Sequence, residues 1–399
     1  MDSIGLSLTP VQASSCLTEL YLKDCNLSCL SEEIGNLISL RTLDLTENNL
    51  STLPDGICNL TCLKHLLLEE NNVSNLPSGI GRLTSLESLY LSRNSLCTLP
   101  DTIGKLSCLK DLWVGNNKLS HLPSEIGDLD SLKTLVLEGN NGFRALPESI
   151  GHLPYLIDLS LNNCAKLRSF PKLPTCRYRY VDAVCCPSLE SLPLELDQLG
   201  WRANYSGSNK LAENNYLTSL LNQLPKSKGL SKLKDAVNIT VPAGEEELRI
   251  WFPYHDVRGP NVVSFVVPPS PFVNQKMLGW ILRLVLGAPR ETSWVLIRNV
   301  IRNKIRWFDV AYPFYVYPTD VDHVCLIYIP QGYRGLQLEG GDEVEIPMSQ
   351  KGADYVEIPI DVTHPNTLVK KWAIDLIYEA DEIHKGNDTW CQVEYNIQL

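Results

Sequence analysis

The chain has 399 residues, 44% of them hydrophobic, and a net charge of −11, which suffices for two or three domains with real cores. The acidic balance argues against nucleic acid, which needs clustered Lys and Arg to displace phosphate counterions, and against an anionic membrane surface. No run approaches the roughly 18 apolar residues of a membrane span, Met1-Asp2-Ser3-Ile4 lacks the basic and apolar regions of a secretory signal, and the 13 cysteines are scattered without zinc-site spacing, so they read as reduced thiols in the cytoplasm or nucleus.

Leucine recurs every 23 residues through the first half. Leu20, Leu43, Leu66, Leu89, Leu112 and Leu135 share one phase, and Leu22, Leu45, Leu68, Leu91, Val114 and Leu137 follow two residues later. Asn48, Asn71, Asn94, Asn117 and Asn140 hold a third phase, with Cys25 in that place one repeat earlier. This L-x-x-L-x-L-x-x-N/C-x-L pattern is the signature of a leucine-rich-repeat solenoid. The Leu-x-Leu pair points one face of a short strand inward, because side chains alternate across a strand. The asparagine turns the chain and bonds backbone groups of neighbouring turns. Proline then stops the ladder (Pro54, Pro77, Pro100, Pro123, Pro147), and Ile-Gly-x-Leu returns as a short helix or 3₁₀ turn. The phase slips by one residue at Asn141-Gly142-Phe143, where Gly142 suits a bulge. Cys164 and Cys186 then take the asparagine corner as small buried hydrophobes. A solenoid end needs a polar cap, and residues 1–15 are too short for one. The first repeat is therefore expected to fray or to need an upstream cover.

The outward position between the strand leucines runs Tyr21, Asp44, Leu67, Tyr90, Trp113, Val136 and Ser160. Leu67, Tyr90, Trp113 and Val136 are consecutive there and predict an apolar stripe down the concave face. Glu69, Glu70, Arg93, Asp111 and Glu138 form its rim. A contiguous apolar patch rimmed by charge marks an interaction site or a face covered by another domain, and Trp, Tyr and Arg are the usual anchors. The candidate partner-binding set is Tyr21, Leu67, Tyr90, Trp113, Val136, Glu70, Arg93 and Glu138.

After Pro193 the repeat dies. Tyr216, Leu217, Leu220, Leu221 and Leu224 keep helical spacing up to Pro225, so residues 196–238 read as a linker with one amphipathic helix. Beyond it, short β-rich runs are parted by Gly, Pro and Asp: 262–267, 280–286, 294–301, 306–310, 324–329, 344–346, 355–362 and 369–378. Their spacing predicts an antiparallel sandwich. The expected fold is an α/β leucine-rich-repeat solenoid over 1–195 followed by an all-β antiparallel sandwich over 239–399.

Trp251-Phe252 and Val263-Ser264-Phe265-Val266-Val267-Pro268-Pro269 resemble the "W-F … V-S-F-x-x-P-P" stretch that follows the repeats in plant TIR-type nucleotide-binding leucine-rich-repeat immune receptors. Asp322 to Tyr328, Gly341-Asp342-Glu343-Val344-Glu345-Ile346 and Val369 to Glu379 are similar to later blocks of that family, with Ala373 in place of the usual Gly. Leu17 to Leu27 resembles one of its mid-array repeats. The resemblance covers nearly the whole chain. It implies that the sandwich is a C-terminal jelly-roll/Ig-like domain, which works with the concave face to recognise pathogen effectors. No TIR domain and no G-x-x-x-x-G-K-[ST] loop is present, so neither NADase nor nucleotide switch carries over, and the chain reads as a sensing half. The segment Val241-Pro242-Ala243-Gly244 with Glu245-Glu246-Glu247 departs from the family pattern.

No catalytic constellation stands out. His323 and Cys325 lie two apart on one strand face, without the geometry of a nucleophile and its base. Glu245–Glu247 and Asp381-Glu382 read as solvated loop charges, and Lys370-Lys371 and Arg302–Arg306 as strand-edge protection. The expectation is a non-enzymatic recognition module, monomeric on its own, without cofactor or metal. It would bind a pathogen effector or a full-length receptor partner in plant cytoplasm or nucleus. The alternative is an endogenous leucine-rich-repeat signalling scaffold that senses no effector.

Overall fold

The computed structural model describes residues 4–6, 16–173, 180–194, 202–223, 233–252, 262–267, 277–286, 295–303, 308–316, 323–347, 369–378 and 390–392. The chain divides into two compact units, Met1–Pro193 and Leu194–Leu399.

In the first unit β1 (Ile4–Leu6) pairs in parallel with β3 (Leu27–Leu30). The solenoid sheet begins at β2 (Glu19–Tyr21) and continues through β4 (Thr42–Asp44), β5 (His65–Leu67) and β6 (Ser88–Tyr90). It runs on through β7 (Asp111–Trp113), β8 (Thr134–Val136), β9 (Asp158–Ser160) and β10 (Tyr180–Asp182). Every neighbouring pair is parallel and in register, so Leu43, Leu66, Leu89, Leu112 and Leu135 stack as one row. All five are fully buried. Leu20 and Leu22 in the first repeat are only half-buried.

The asparagine column closes the other side of each strand. Asn94 donates from Nδ2 to the carbonyls of Leu91 in its own repeat (3.0 Å) and Leu68 in the one before (2.8 Å). Its Oδ1 accepts from the Val73 N–H at 2.9 Å. Asn48, Asn71, Asn117 and Asn140 repeat the pattern. Just before each asparagine the backbone is left-handed, with φ of 56° at Glu47, 55° at Glu70, 57° at Arg93 and 52° at Asn116. That conformation is costly for a residue with a Cβ, and the asparagine bonds on either side hold it. Cys164 and Cys186 take the corner as expected, and each thiol donates to a carbonyl of the preceding repeat, Leu137 at 3.5 Å and Leu161 at 3.2 Å. Burial pushes both thiols up to about 12, which makes them poor nucleophiles.

On the convex side each Ile-Gly segment is a 3₁₀ helix following a proline, from Asp55–Asn59 to Glu148–His152. Gly142 lies in a turn after β8 rather than in a strand bulge. The extra residue moves Phe143, fully buried, into the row of Leu50, Val73, Leu96 and Leu119, and a Cβ on Gly142 would meet the Leu119 carbonyl.

The second unit holds two sheets among its described residues. β11 (Arg202–Asn204) runs parallel to β12 (Val237–Pro242), and two helices, α1 (Lys210–Glu213) and α2 (Tyr216–Gln223), lie between them in sequence. The stretch read as a one-helix linker thus contains a strand and two helices, because a parallel connection needs a crossover. Leu224 and Pro225 lie outside the described residues. The sheet continues antiparallel through β17 (His323–Pro330), β14 (Met277–Leu286), β19 (Val369–Tyr378) and β20 (Trp390–Gln392). The second sheet orders β13 (Val262–Val266), β18 (Glu343–Pro347), β15 (Val295–Asn303) and β16 (Phe308–Val316), all antiparallel. Among the described residues the pairing in the second unit is therefore mixed, antiparallel throughout except for β11–β12. The strand predicted over 355–362, Asp381-Glu382 and the start of the 306–310 run lie outside the described residues.

Two expectations, for Glu245–Glu247 and for Arg302, need correction. Glu245–Glu247 opens a helix, α3 (Glu245–Trp251), instead of a loop. Its Glu247 is buried, where its carboxylate accepts from the Thr218 N–H (2.8 Å) and the Gly244 N–H (3.3 Å); a carboxylate suits the N-terminal end of a helix. Lys370-Lys371 belong to β19, where β14 pairs along one side while β20 reaches only Asp375 to Ile377 on the other. Arg302, by contrast, stands between β16 and β18 and is not at an edge.

Candidate functional site

In-register pairing brings the predicted stripe together: Leu67 faces Tyr90, Tyr90 faces Trp113, and Trp113 faces Val136 on successive strands. Tyr90 and Trp113 stack with ring centroids 4.8 Å apart and planes 28° from parallel. Opposed side chains on adjacent strands stand about 5 Å apart, which brings the two rings within stacking distance. Trp113 is exposed, and Leu67, Tyr90 and Val136 are half-buried. Tyr21 is the most exposed aromatic of the column at 62%, but Asp44 separates it from the stripe. Its hydroxyl donates to Glu19 at 3.1 Å, which raises its pKa.

The rim residues pair among themselves. Arg93 bonds Glu70 at 2.9 Å across adjacent repeats, and the Asn116 amide donates to Glu138 at 3.3 Å. Glu69, beside the stripe, has its pKa raised by burial and then by the charge of Glu70. On the opposite edge of the strands Lys110 and Lys64 grip Glu87 from either side at 2.5 and 2.7 Å. The Lys110 bond, then the Lys64 bond, pulls that carboxyl down to about 2.

A constellation spread over three repeats escaped sequence reading. His65 Nδ1 stands 3.3 Å from Ser88 Oγ, which donates to Asp111 at 3.5 Å. The residues are 23 apart in the chain and meet only through strand register. An activated serine needs the imidazole between hydroxyl and carboxylate; here the serine is in the middle, so no proton relay to the hydroxyl results. His323 and Cys325 are both fully buried. The Cys325 thiol donates to Asn238 at 3.0 Å and burial pushes it up to about 12. Among the described residues no group of three or more His, Cys, Asp or Glu is placed to hold a metal ion, and no helix is long and apolar enough to cross a membrane.

Comparison with known proteins places the repeats. A leucine-rich repeat region model matches residues 5–101, and a leucine rich repeat model matches residues 84–142. The first unit contains leucine-rich repeats. Among solved structures, a leucine-rich-repeat protein of Leptospira interrogans is 32% identical over 48% of this chain, with a TM-score of 0.40. The alignment spans 50% of that protein's own length. The leucine-rich repeat domain of the type III effector XopL is 29% identical over 46% of this chain and 67% of its own, with a TM-score of 0.42. The leucine-rich effector protein YopM of Yersinia pestis is 30% identical over 48% of this chain and 49% of its own, with a TM-score of 0.39. A search of curated proteins finds no match.

Proposed function

We propose that this protein is a protein-recognition module whose concave stripe binds another protein, as part of a plant intracellular immune receptor of the TIR-type nucleotide-binding class. The Tyr90–Trp113 stack, with Trp113 exposed and Tyr90 half-buried, held by strand register and rimmed by Arg93, Glu70 and Glu138, carries the reading. Stacked rings have little conformational freedom left to lose on binding, and aromatic anchors of this kind dominate interface energies. The plant-receptor part rests on the ordered sequence blocks of the second unit; the two sheets there accord with a jelly-roll/Ig-like sandwich. In this reading the partner is a pathogen effector or a receptor partner, the site is cytoplasmic or nuclear, and the chain performs no catalysis.

Affinity capture from infected and uninfected leaf, with wild type and Trp113→Ala side by side, tests it. A pathogen-derived protein retained by wild type and lost by the variant is the expected result. Truncating such an anchor costs about 2 kcal/mol or more, roughly thirtyfold in affinity. A variant-sensitive protein found equally in both leaves would favour the endogenous scaffold instead. Binding that survives both Trp113→Ala and Tyr90→Ala, in folded protein, would remove the stripe from the mechanism.

A further inference from the structure

The two edges of the concave face carry opposite charge. Just before the strands the chain places Arg41, Lys64, Lys110 and Lys133 in one column, with Glu87 as its acid. Just after them it places Asp24, Glu47, Glu69, Glu70 and Glu138, with Lys23, paired to Glu47 at 2.7 Å, and Arg93 as their bases. Parallel in-register pairing turns these sequence positions into two rails on either side of the stripe. Glu87 lies between Lys110 and Lys64, and Arg93 is paired with Glu70. Each exception sits within its own rail, so each edge keeps an excess of one sign.

Backbone pairing says what kind of element fits. β5 to β8 have strand neighbours on both sides, so the middle of this sheet offers no free edge to an added strand. An occupant must bind through side chains. The two rails are five to six residues apart along the chain, less than the about 20 Å of a fully extended segment, because each strand is three residues long and the chain bends at the left-handed residues after it. A helix with its side chains is about 10–12 Å across, which leaves each rail within reach of long charged side chains on the helix flanks. From Leu67 to Val136 is three strand spacings, about 14 Å, the rise of about nine helical residues.

Resting on the reading of the stripe as a docking surface, we infer that its occupant is an amphipathic helix laid along the solenoid axis. That helix carries an apolar ridge over Tyr90 and Trp113, carboxylates on the flank facing Lys110 and Lys133, and basic groups on the flank facing Glu69 and Glu138. The rails then act as a selectivity filter, admitting charge-segregated helices and repelling those with the same charges mixed on both flanks.

Two synthetic helical peptides of identical composition test this on the full chain by fluorescence anisotropy. One has a Leu/Phe ridge with Glu on one flank and Lys on the other; the second alternates Glu and Lys on both flanks. The segregated peptide is expected to bind about tenfold more tightly in about 0.01 M salt, and to lose that advantage in about 1 M salt, where the Debye length falls to about 3 Å. Arg41→Glu with Lys133→Glu, both at exposed positions, should erase the advantage, while Trp113→Ala weakens both peptides alike. Equal binding of the two peptides, or binding by neither, overturns the inference. Equal binding that still depends on Trp113 would discard the charge filter and leave the stripe as a docking surface.

Discussion

Asn94 shows how one side chain holds two repeats in register. Its amide serves carbonyls of two repeats and its oxygen an N–H of the previous one. Asn94→Ala leaves those buried groups unpaired at about 1–3 kcal/mol each, so we expect a loss of several kcal/mol in chemical denaturation. Asn94→Cys should lose less, since Cys164 fills the same corner with a single weak donor. Arg283 plays the corresponding part in the second unit. Its guanidinium donates to Asp375 Oδ1 at 2.9 Å and to the Trp251 carbonyl at 2.9 Å, its Nε stands 2.7 Å from Asp375 Oδ2 as an ion pair, and it lies over the Trp251 and Phe252 rings. Asp342, likewise buried, accepts from Asn303 at 3.0 Å and the Glu339 N–H at 2.9 Å. Trp251-Phe252, Asp342 and Asp375 all belong to blocks on which the resemblance to plant receptors rests. Those residues organise a core, which is why the blocks speak to fold and leave the bound partner open. Arg283→Leu should cost about 3–5 kcal/mol, the usual result of stranding one partner of a buried ion pair. Replacing both Arg283 and Asp375 by leucine should recover most of it.

The solenoid's elements owe their form to close approach. Gly104 faces the Glu125 carbonyl of the next 3₁₀ helix, which a Cβ would strike. Gly104→Ala should therefore push adjacent convex segments apart at about 1–3 kcal/mol, with Tyr90 and Trp113 fluorescence unchanged if the concave strands hold register. Gly115 should tolerate alanine better: its Cβ would lie 2.8 Å from Glu138 Cγ, a side-chain atom that can shift, and 3.4 Å from the Glu138 carbonyl. Element type was legible where a strict period repeats it. It was misread at Glu245–Glu247, where three consecutive acids look solvated, yet one of them is buried at a helix start. Composition does not say which acid will find two backbone donors.

At the scale of the molecule, the two units should answer pH in opposite senses. Glu87 has its carboxyl depressed from 4.5 to about 2. Its contribution is present above pH ~4.5 and lost as pH falls toward 2, although its exposure keeps the effect small. Asp375 is raised from 3.8 to about 6, burial outweighing Arg283. Its contribution is full below pH ~3.8 and lost as pH rises through 6. Denaturant unfolding of wild type and Asp375→Asn should thus diverge between pH 4 and 6, with wild type losing ground as pH rises. No divergence would mean the ion pair offsets burial completely.

The sequence by itself determined the repeat unit, its strand and corner, the inward leucines and the column of outward residues. A fixed period forces equivalent residues into equivalent places. It also placed most strands of the second unit, through their β-rich runs. Only the tertiary structure decided what meets across repeats: the Tyr90–Trp113 stack, the His65–Ser88–Asp111 row and the opposed charge rails. Those depend on strand register, which sets neighbours 23 residues apart side by side. The parallel β11–β12 pair and the Arg283–Asp375 bond, between residues 92 apart, belong to the same class. Long-range pairing follows from the packing of whole elements, and no local pattern in the chain encodes it.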